Sequence, residues 1–328
     1  MIKTNDIKNI EINSPGLHTK GLSYAAARIV AQASDNETPE LITRANDLRL
    51  HFKKNNIFTC GIINAKSGFC SQDCAFCAQS VHYQTGAETY PLINETQIIE
   101  KAIVLSDAGA TRFSIVTSGF MLNHQEMDTI CKAVTAIHEK TDLIICTSIG
   151  TLTPSMAKRL KQSGVTNCHH NLETARSFFN TICTTHDYND DIETIKIARS
   201  AGLKICSGGI MGLGENWEQR VELAFTLKAL DVDSIPINFL NPIPGTALEK
   251  QPLLSPLESL KCIALFRLIN PDKDIVICGG RETALRDDQP RLFSAGANGL
   301  MIGNYLTTLG RQMETDMEMI RNSGLTVV

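Results

Sequence analysis

The run Phe58-Thr59-Cys60-Gly61-Ile62-Ile63-Asn64-Ala65, followed after four residues by Cys70-Ser71-Gln72-Asp73-Cys74-Ala75-Phe76-Cys77, decides how this chain is read. The first part is short, apolar and rich in β-branched residues, as a buried strand is. The second holds three cysteines at C-x3-C-x2-C spacing, able to reach one metal cluster. Three thiolates on a cubic iron–sulfur cluster leave one iron without a protein ligand, and a small molecule can chelate there. A zinc ribbon needs a second C-x2-C pair, and none follows. A disulfide reading fails because three is odd and the context looks reducing. The bland alternative is three unrelated thiols in a loop.

Seven more strand-like runs follow: Thr111–Thr117, Leu143–Ser148, Thr166–Leu172, Leu203–Ile210, Ser234–Leu240, Asp274–Gly279 and Gly299–Gly303. Helical patterns separate most of them. Ile98, Ala102 and Leu105 share one face, with Gly109 as the stop, and Met127, Ile130, Cys131, Val134 and Ile137 form the next stripe. Thr153-Pro154 opens a helix, and Ser255-Pro256-Leu257-Glu258 reads as a capping box with proline at its first position. Eight alternations without a long linker predict an α/β fold, a (β/α)8 TIM-type barrel spanning residues 58–310. A doubly wound open sheet is the competing architecture. Residues 1–57 form an N-terminal extension with a turn at Pro15-Gly16 and helices near Ser23–Gln32 and Pro39–Lys54, expected to cover one end of the barrel. Residues 311–328 read as a C-terminal helix and tail.

Composition narrows the function classes. A chain of 328 residues, 43% hydrophobic, can bury a large core, and a net charge of −4 favours neither nucleic acid nor an anionic membrane. There is no run of eighteen apolar residues and no apolar core of a signal peptide at Met1-Ile2-Lys3-Thr4-Asn5-Asp6. Eleven cysteines in such a chain point to a reducing cytoplasm and to metal or core roles.

In a barrel of this type the chemistry sits on the loops after the strands. The cysteine triplet occupies the first such loop. The fifth junction, Gly208-Gly209-Ile210-Met211-Gly212-Leu213-Gly214-Glu215, is glycine-rich, so Gly209 and Gly212 are candidates for close backbone approach to a cofactor. A tight turn with no ligand is the alternative. Side chains alternate along a strand, and Cys60, Cys146, Cys206 and Cys278 fall on the first, third, fifth and seventh runs. Four cysteines on alternate strands can converge on one point inside a barrel and bind an iron–sulfur cluster there. Taken singly, each also fits a small buried hydrophobe. Cys131, Cys168 and Cys262 read as core, and Cys183 lies in a loop that could come near the site. His169 and Asn171 share parity, with Glu173 just beyond; Asn238 sits mid-strand, and Arg112 shares a face with Ser114. Asn amides can pair donor and acceptor with a urea-like ligand, whereas a structural polar network is the alternative for Asn238 and His169.

The triplet resembles the signature of radical S-adenosylmethionine (SAM) enzymes, and the chain from about Phe58 to Arg311 resembles biotin synthases. That resemblance rests on Asn64-Ala65-Lys66-Ser67-Gly68 leading into the triplet, Gly109-Ala110-Thr111-Arg112-Phe113, His170-Asn171-Leu172-Glu173-Thr174, Cys206-Ser207-Gly208-Gly209, Pro236 through Thr246, and Tyr305-Leu306-Thr307-Thr308. It implies insertion of sulfur into dethiobiotin to give biotin. Two unactivated C–H bonds are broken by a 5′-deoxyadenosyl radical from SAM, and the sulfur comes from an auxiliary cluster. It implies that Cys70, Cys74 and Cys77 hold a 4Fe–4S cluster with one open iron. Asn171 and Glu173 contact the SAM ribose, Asn171 and Asn238 contact substrate, and Thr307 and Thr308 receive its carboxylate. It further implies a reductant such as flavodoxin or ferredoxin and a homodimer.

The chain departs from the familiar family pattern, in which three cysteines and an arginine hold a two-iron auxiliary cluster. Ser114 matches the first of those cysteines and Val276 the arginine; Cys146 and Cys206 match the other two. The expectation is therefore a different auxiliary cluster, with four irons held by Cys60, Cys146, Cys206 and Cys278, and with Ser114 a weaker candidate. Competing readings are a hydrogenase-maturase-like radical SAM enzyme, a non-catalytic iron–sulfur carrier, and a relative that binds a biotin precursor without converting it.

Overall fold

The computed structural model describes residues 20–328; the turn expected at Pro15-Gly16 lies outside them. Two helices come first, α1 (Tyr24–Ala31) and α2 (Thr38–Lys53). The Ser23 hydroxyl caps α1 by accepting from the Ala26 amide, and Pro39 occupies the first turn of α2, where a missing N–H is harmless.

The strands then alternate with helices. In order they are β1 (Asn56–Lys66), α3 (Glu95–Asp107), β2 (Arg112–Thr117), α4 (His124–His138), β3 (Ile144–Ser148), α5 (Pro154–Ser163) and β4 (Asn167–His169). Next come α6 (Arg176–Ile182), α7 (Tyr188–Ser200), β5 (Lys204–Cys206), β6 (Gly209–Met211), α8 (Trp217–Ala229), β7 (Ser234–Phe239), α9 (Pro256–Ile269) and β8 (Asp274–Ile277). Short helices α10 (Arg281–Leu285) and α11 (Arg291–Ser294) precede β9 (Gly299–Met301), and α12 (Met313–Asn322) with β10 (Thr326–Val327) ends the chain. Every strand pairing is parallel, and β1 pairs with both β2 and β9, so the sheet closes into a barrel. The open-sheet alternative is thereby excluded. Helices α1 and α2 flank α8 and α9. Lys53, the last residue of α2, reaches Asp274 at the start of β8 (3.0 Å), so the N-terminal segment also meets the bottom of the barrel. There β10 pairs with Asn56 and Ile57.

Two expected strands depart most from their apolar runs. The fourth ends at His169, yet its pairing continues through His170 N–H to Cys206 O and Leu172 N–H to Gly208 O (both 3.0 Å) before Glu173 turns the chain at φ +60°. The fifth splits into β5 and β6 because the Gly208 amide donates to the Asn171 side chain (3.1 Å) rather than to a strand. Gly208 itself is dictated by packing, since a Cβ there would lie 1.9 Å from the Pro236 carbonyl oxygen. The capping box at α9 is half made. Ser255 accepts from the Glu258 amide (3.2 Å), but the Glu258 carboxylate takes Arg220 instead (2.7 Å).

Alternation decides what faces inward. Phe58, Cys60 and Ile62 of β1, Arg112, Ser114 and Val116 of β2, Cys146 and Ser148 of β3, and Asn167 and His169 of β4 all line one internal cavity. The intervening Phe113, Ile115, Ile145, Cys168 and Ile205 are buried in the outer layer against the helices. A barrel interior is ordinarily filled by large branched side chains. Here small and polar residues leave a cavity of about 310 Å³.

Candidate active site

The loop from Gly68 to Tyr83 is tied down along its length. The Cys70 amide donates to Gln79 O (3.1 Å), Val81 N–H to Cys70 O (2.9 Å), and Ala75 N–H to Ile182 O at the end of α6 (2.8 Å). Asp73 is the anchor. Its carboxylate accepts from the Thr184 amide (2.8 Å), from both hydroxyls of Thr184 and Thr185, and from the Cys183 thiol (3.2 Å). Burial works against ionisation of Asp73, but these donors outweigh it and hold its carboxyl well below the usual range. Cys70, Cys74 and Cys77 all line a second cavity of about 220 Å³, together with Gln79, His169, Asn171, Glu173 and Leu306.

All eleven cysteines are free thiols. Among the described residues no cluster of His, Cys, Asp and Glu is tight enough to hold a single metal ion. A thiolate set for a multi-iron cluster is spread around the cluster's faces, so three loop thiols lining one cavity fit that group better than a zinc ion. Burial raises the Cys77 thiol to about 11. Cys74 lies higher still because it donates to Cys183 (Sγ to Sγ 3.8 Å). A cysteine that holds iron carries no proton, so Cys74 would give up this donation if it held a cluster, and loading would release protons.

The two cavities meet. Phe76, Cys77, Gln79, His169, Asn171 and Glu173 line both. Asn171 is held in place, its carbonyl accepting from Gly208 and its amide donating to Glu173 (3.3 Å). Asn238 is oriented likewise, accepting from the Gly279 amide (3.0 Å) and donating to Gly209 O (3.4 Å). Burial, reinforced by Asp191, lifts Glu173 to about 8. Desolvation lowers His169 to about 4, so it is a neutral imidazole within the barrel. Thr307 and Thr308 line the first cavity from the loop after β9, where Tyr305 N–H bonds Thr308 O (3.0 Å). Gly209 and Gly212 do not line either cavity. Gly209 lies against Glu173, where a Cβ would meet the carbonyl oxygen at 2.3 Å, and the Gly212 amide donates to Glu215 (2.9 Å). Their neighbour Ile210 faces the cavity instead.

Cys60, Cys146, Cys206 and Cys278 line the same first cavity, as does Ser114. Burial raises Cys60 to about 11 and Cys206 to about 12, and lifts Cys146 and Cys278 higher. The thiols also feel one another: Cys60 and Cys206 disfavour ionisation of both Cys146 and Cys278. Strand register explains the grouping, because Ser114 lies opposite Cys146, His169 opposite Cys206, and Cys60 opposite both Arg112 and Met301. Val276, one turn of the pleat below Cys278, is apolar and packs with Phe58 and Cys278.

Some residues at the site carried little signal in the sequence. Cys183, a loop cysteine that the sequence allowed but did not require near the site, is buried beside Cys74 and 3.2 Å from His186 Nδ1. The other His186 nitrogen faces Asp191 (3.4 Å), which also bonds His170 (2.8 Å). Asp191 and Cys183 together raise His186 to about 10. The spacing Cys183-x2-His186 is the one cue that preceded the fold.

A closed parallel barrel with a three-cysteine loop after its first strand and a cofactor-sized cavity against that loop defines a radical SAM enzyme. The Radical SAM superfamily matches residues 65–227, and the Biotin and Thiamin Synthesis associated domain matches residues 236–326. A biotin synthase of Syntrophus aciditrophicus (strain SB) is 55% identical over 306 residues, 93% of this chain and 94% of the relative. One from Geobacter metallireducens is 51% identical over 307 residues, 93% of each. Solved structures share the fold at low identity. Methylornithine synthase superposes with a TM-score of 0.82 at 18% identity over 97% of both chains. The FeFe-hydrogenase maturase of Carboxydothermus hydrogenoformans does so at 0.82 and 16%, over 98% of this chain and 79% of its own. The chain belongs to the biotin synthase family. It is accordingly a sulfurtransferase that converts dethiobiotin to biotin with SAM and a 4Fe–4S cluster. No helix among the described residues is long and apolar enough to cross a membrane.

Proposed function

We propose that the two joined cavities divide the reaction between two thiol sets, with Cys70, Cys74 and Cys77 holding the SAM cluster and Cys60, Cys146, Cys206 and Cys278 holding a four-iron auxiliary cluster that donates sulfur. The observation that carries this reading is the lining of one internal cavity by all four strand cysteines, whereas all three loop cysteines line the second. When bound, the SAM cluster supplies the electron that cleaves SAM, and the resulting 5′-deoxyadenosyl radical removes hydrogen atoms from carbon.

The chain's own residues bind and orient. Asn171 and Glu173 line both cavities, which supports contacts to the SAM ribose and, for Asn171, to substrate. Asn238 presents a fixed donor and acceptor to the ureido ring. Thr307 and Thr308, on the loop that borders the cavity, receive the carboxylate. Gly209 and Gly212 act by shaping the backbone that carries Ile210. Burying the site keeps water from the carbon radicals. Ser114 is a weaker auxiliary ligand than Cys60, since a neutral hydroxyl is a poorer donor to iron than a thiolate. The same reading assigns residues 58–310 to the catalytic barrel, 1–57 and 311–328 to its extensions, a flavodoxin or ferredoxin as reductant, and a cytoplasmic homodimer.

The test is anaerobic iron and sulfide analysis with Mössbauer spectra on the wild type and on Cys60→Ala/Cys278→Ala. The expected double variant keeps the SAM cluster and SAM cleavage, and loses an auxiliary four-iron signal together with biotin formation. A two-iron auxiliary signal that survives both changes would overturn the assignment.

A further inference from the structure

At the bottom of the first cavity two cations share one carboxylate. Arg112 Nη2 donates to Asp274 Oδ2 (2.8 Å), and Lys53 Nζ reaches Asp274 Oδ1 (3.0 Å). Burial opposes ionisation of Asp274, but Lys53 and Arg112 overcome it and hold its pKa at about 2. The carboxylate can neutralise only one of its two partners, so the trio carries one positive charge in excess. The arginine is also incompletely satisfied: its Nε is buried with no hydrogen-bond partner. The guanidinium carbon sits over the Phe58 ring, 3.4 Å from its centroid. Arg112, Phe58 and the four strand cysteines line the same cavity, and Arg112 stands opposite Cys60 in the strand register. It is close enough to Cys60, Cys146 and Cys206 to favour their thiolates. An uncompensated buried cation is costly unless an anion is brought to it.

We propose that Arg112 is the counter-cation of the auxiliary cluster, a positioning residue whose charge sets how readily that cluster accepts an electron. This rests on the four-thiolate reading above. Four thiolates make the loaded site anionic, and the excess charge of the Lys53–Asp274–Arg112 trio offsets part of it. The role bears on sulfur transfer. Forming a carbon–sulfur bond from a carbon radical and a sulfide leaves one electron to be taken up by iron. A fixed cation nearby raises the potential at which that uptake occurs. A loss of Arg112 therefore makes transfer harder without touching SAM cleavage.

The experiment is a redox titration followed by electron paramagnetic resonance on reconstituted full-length wild type, Arg112→Met, Arg112→Lys and Asp274→Asn. At a fixed potential, Arg112→Met should lower the reduced-to-oxidised ratio of the auxiliary cluster by about tenfold, equivalent to about 59 mV for one electron. Arg112→Lys should restore most of it. Asp274→Asn removes the only anion of the trio and should move the ratio the opposite way. The SAM cluster should titrate unchanged in all four proteins. A merely structural role would not produce opposite shifts. Coincident auxiliary titrations in Arg112→Met and wild type would overturn the proposal, as would shifts of the same sign in Arg112→Met and Asp274→Asn. Should Arg112→Met fail to load, loading and a near-normal titration in Arg112→Lys support the charge, and equal failure of both overturns it. The four-thiolate reading is tested separately in the same samples, by whether the auxiliary signal disappears in Cys60→Ala/Cys278→Ala.

Discussion

The two thiol sets are held by different means. Cys70, Cys74 and Cys77 lie within eight residues of one loop, and that loop is pinned through its own Asp73 to Thr184 and Thr185. Cys60, Cys146, Cys206 and Cys278 are scattered over most of the chain, and each is fixed by its place on or just beyond a strand. The loop gathers ligands that are already close in sequence, and its tethers fix where they face. Strand ligands sit in a rigid wall, where register sets every position. The difference teaches that one thiol set is assembled by a single tethered loop, and the other only by closure of the barrel.

The sharpest way to break this contrast is Cys74→Ala. It should abolish SAM cleavage, measured as 5′-deoxyadenosine release, because two loop thiolates cannot hold the cluster. Retained cleavage would remove the triplet from the chemistry. Next, Cys146→Ala should abolish biotin formation while leaving reductive SAM cleavage in place. If both activities fall together, the two sets are not separate units. A smaller effect is expected at Asn238, where both amide groups are already oriented. Asn238→Ala should weaken dethiobiotin binding by about 5- to 150-fold, the 1–3 kcal/mol that an unpaired polar group costs. Unchanged affinity by calorimetry would free Asn238 of any substrate role.

The mildest effect concerns pH. The Glu173 carboxyl titrates near 8 in the folded chain, well above the ordinary 4.5, because burial and Asp191 favour its protonated form. The positively charged SAM sulfonium favours the carboxylate instead. SAM affinity should therefore rise with pH up to about 8 and level off beyond, by at most tenfold per pH unit. Glu173→Gln should flatten that slope. A wild-type binding curve without slope between pH 6 and 8 would sever Glu173 from SAM.

The alternating runs and the cap residues made the barrel legible, because strand and helix periodicity are local properties of a sequence. Thr153 and Ser255 cap helices as their positions suggested. The early ends of β4 and β5 were not legible, since the Asn171 side chain and Glu173 at φ +60° compete with the ladder only after distant strands have met. Cys183 was similarly hidden, because its nearest thiol is Cys74, more than a hundred residues away.

By itself, then, the sequence determined the radical SAM loop, the eightfold alternation, and the inward parity of Cys60, Cys146, Cys206 and Cys278. Parity follows from chain geometry alone and needs no partner. Only the tertiary structure decided that those four side chains border one hollow, that it opens onto the loop triplet, and that Arg112, Asp274 and Lys53 meet beneath it. Those facts depend on barrel closure and on which strands lie side by side, and no local pattern encodes the distance between residues that the chain separates by a hundred positions or more.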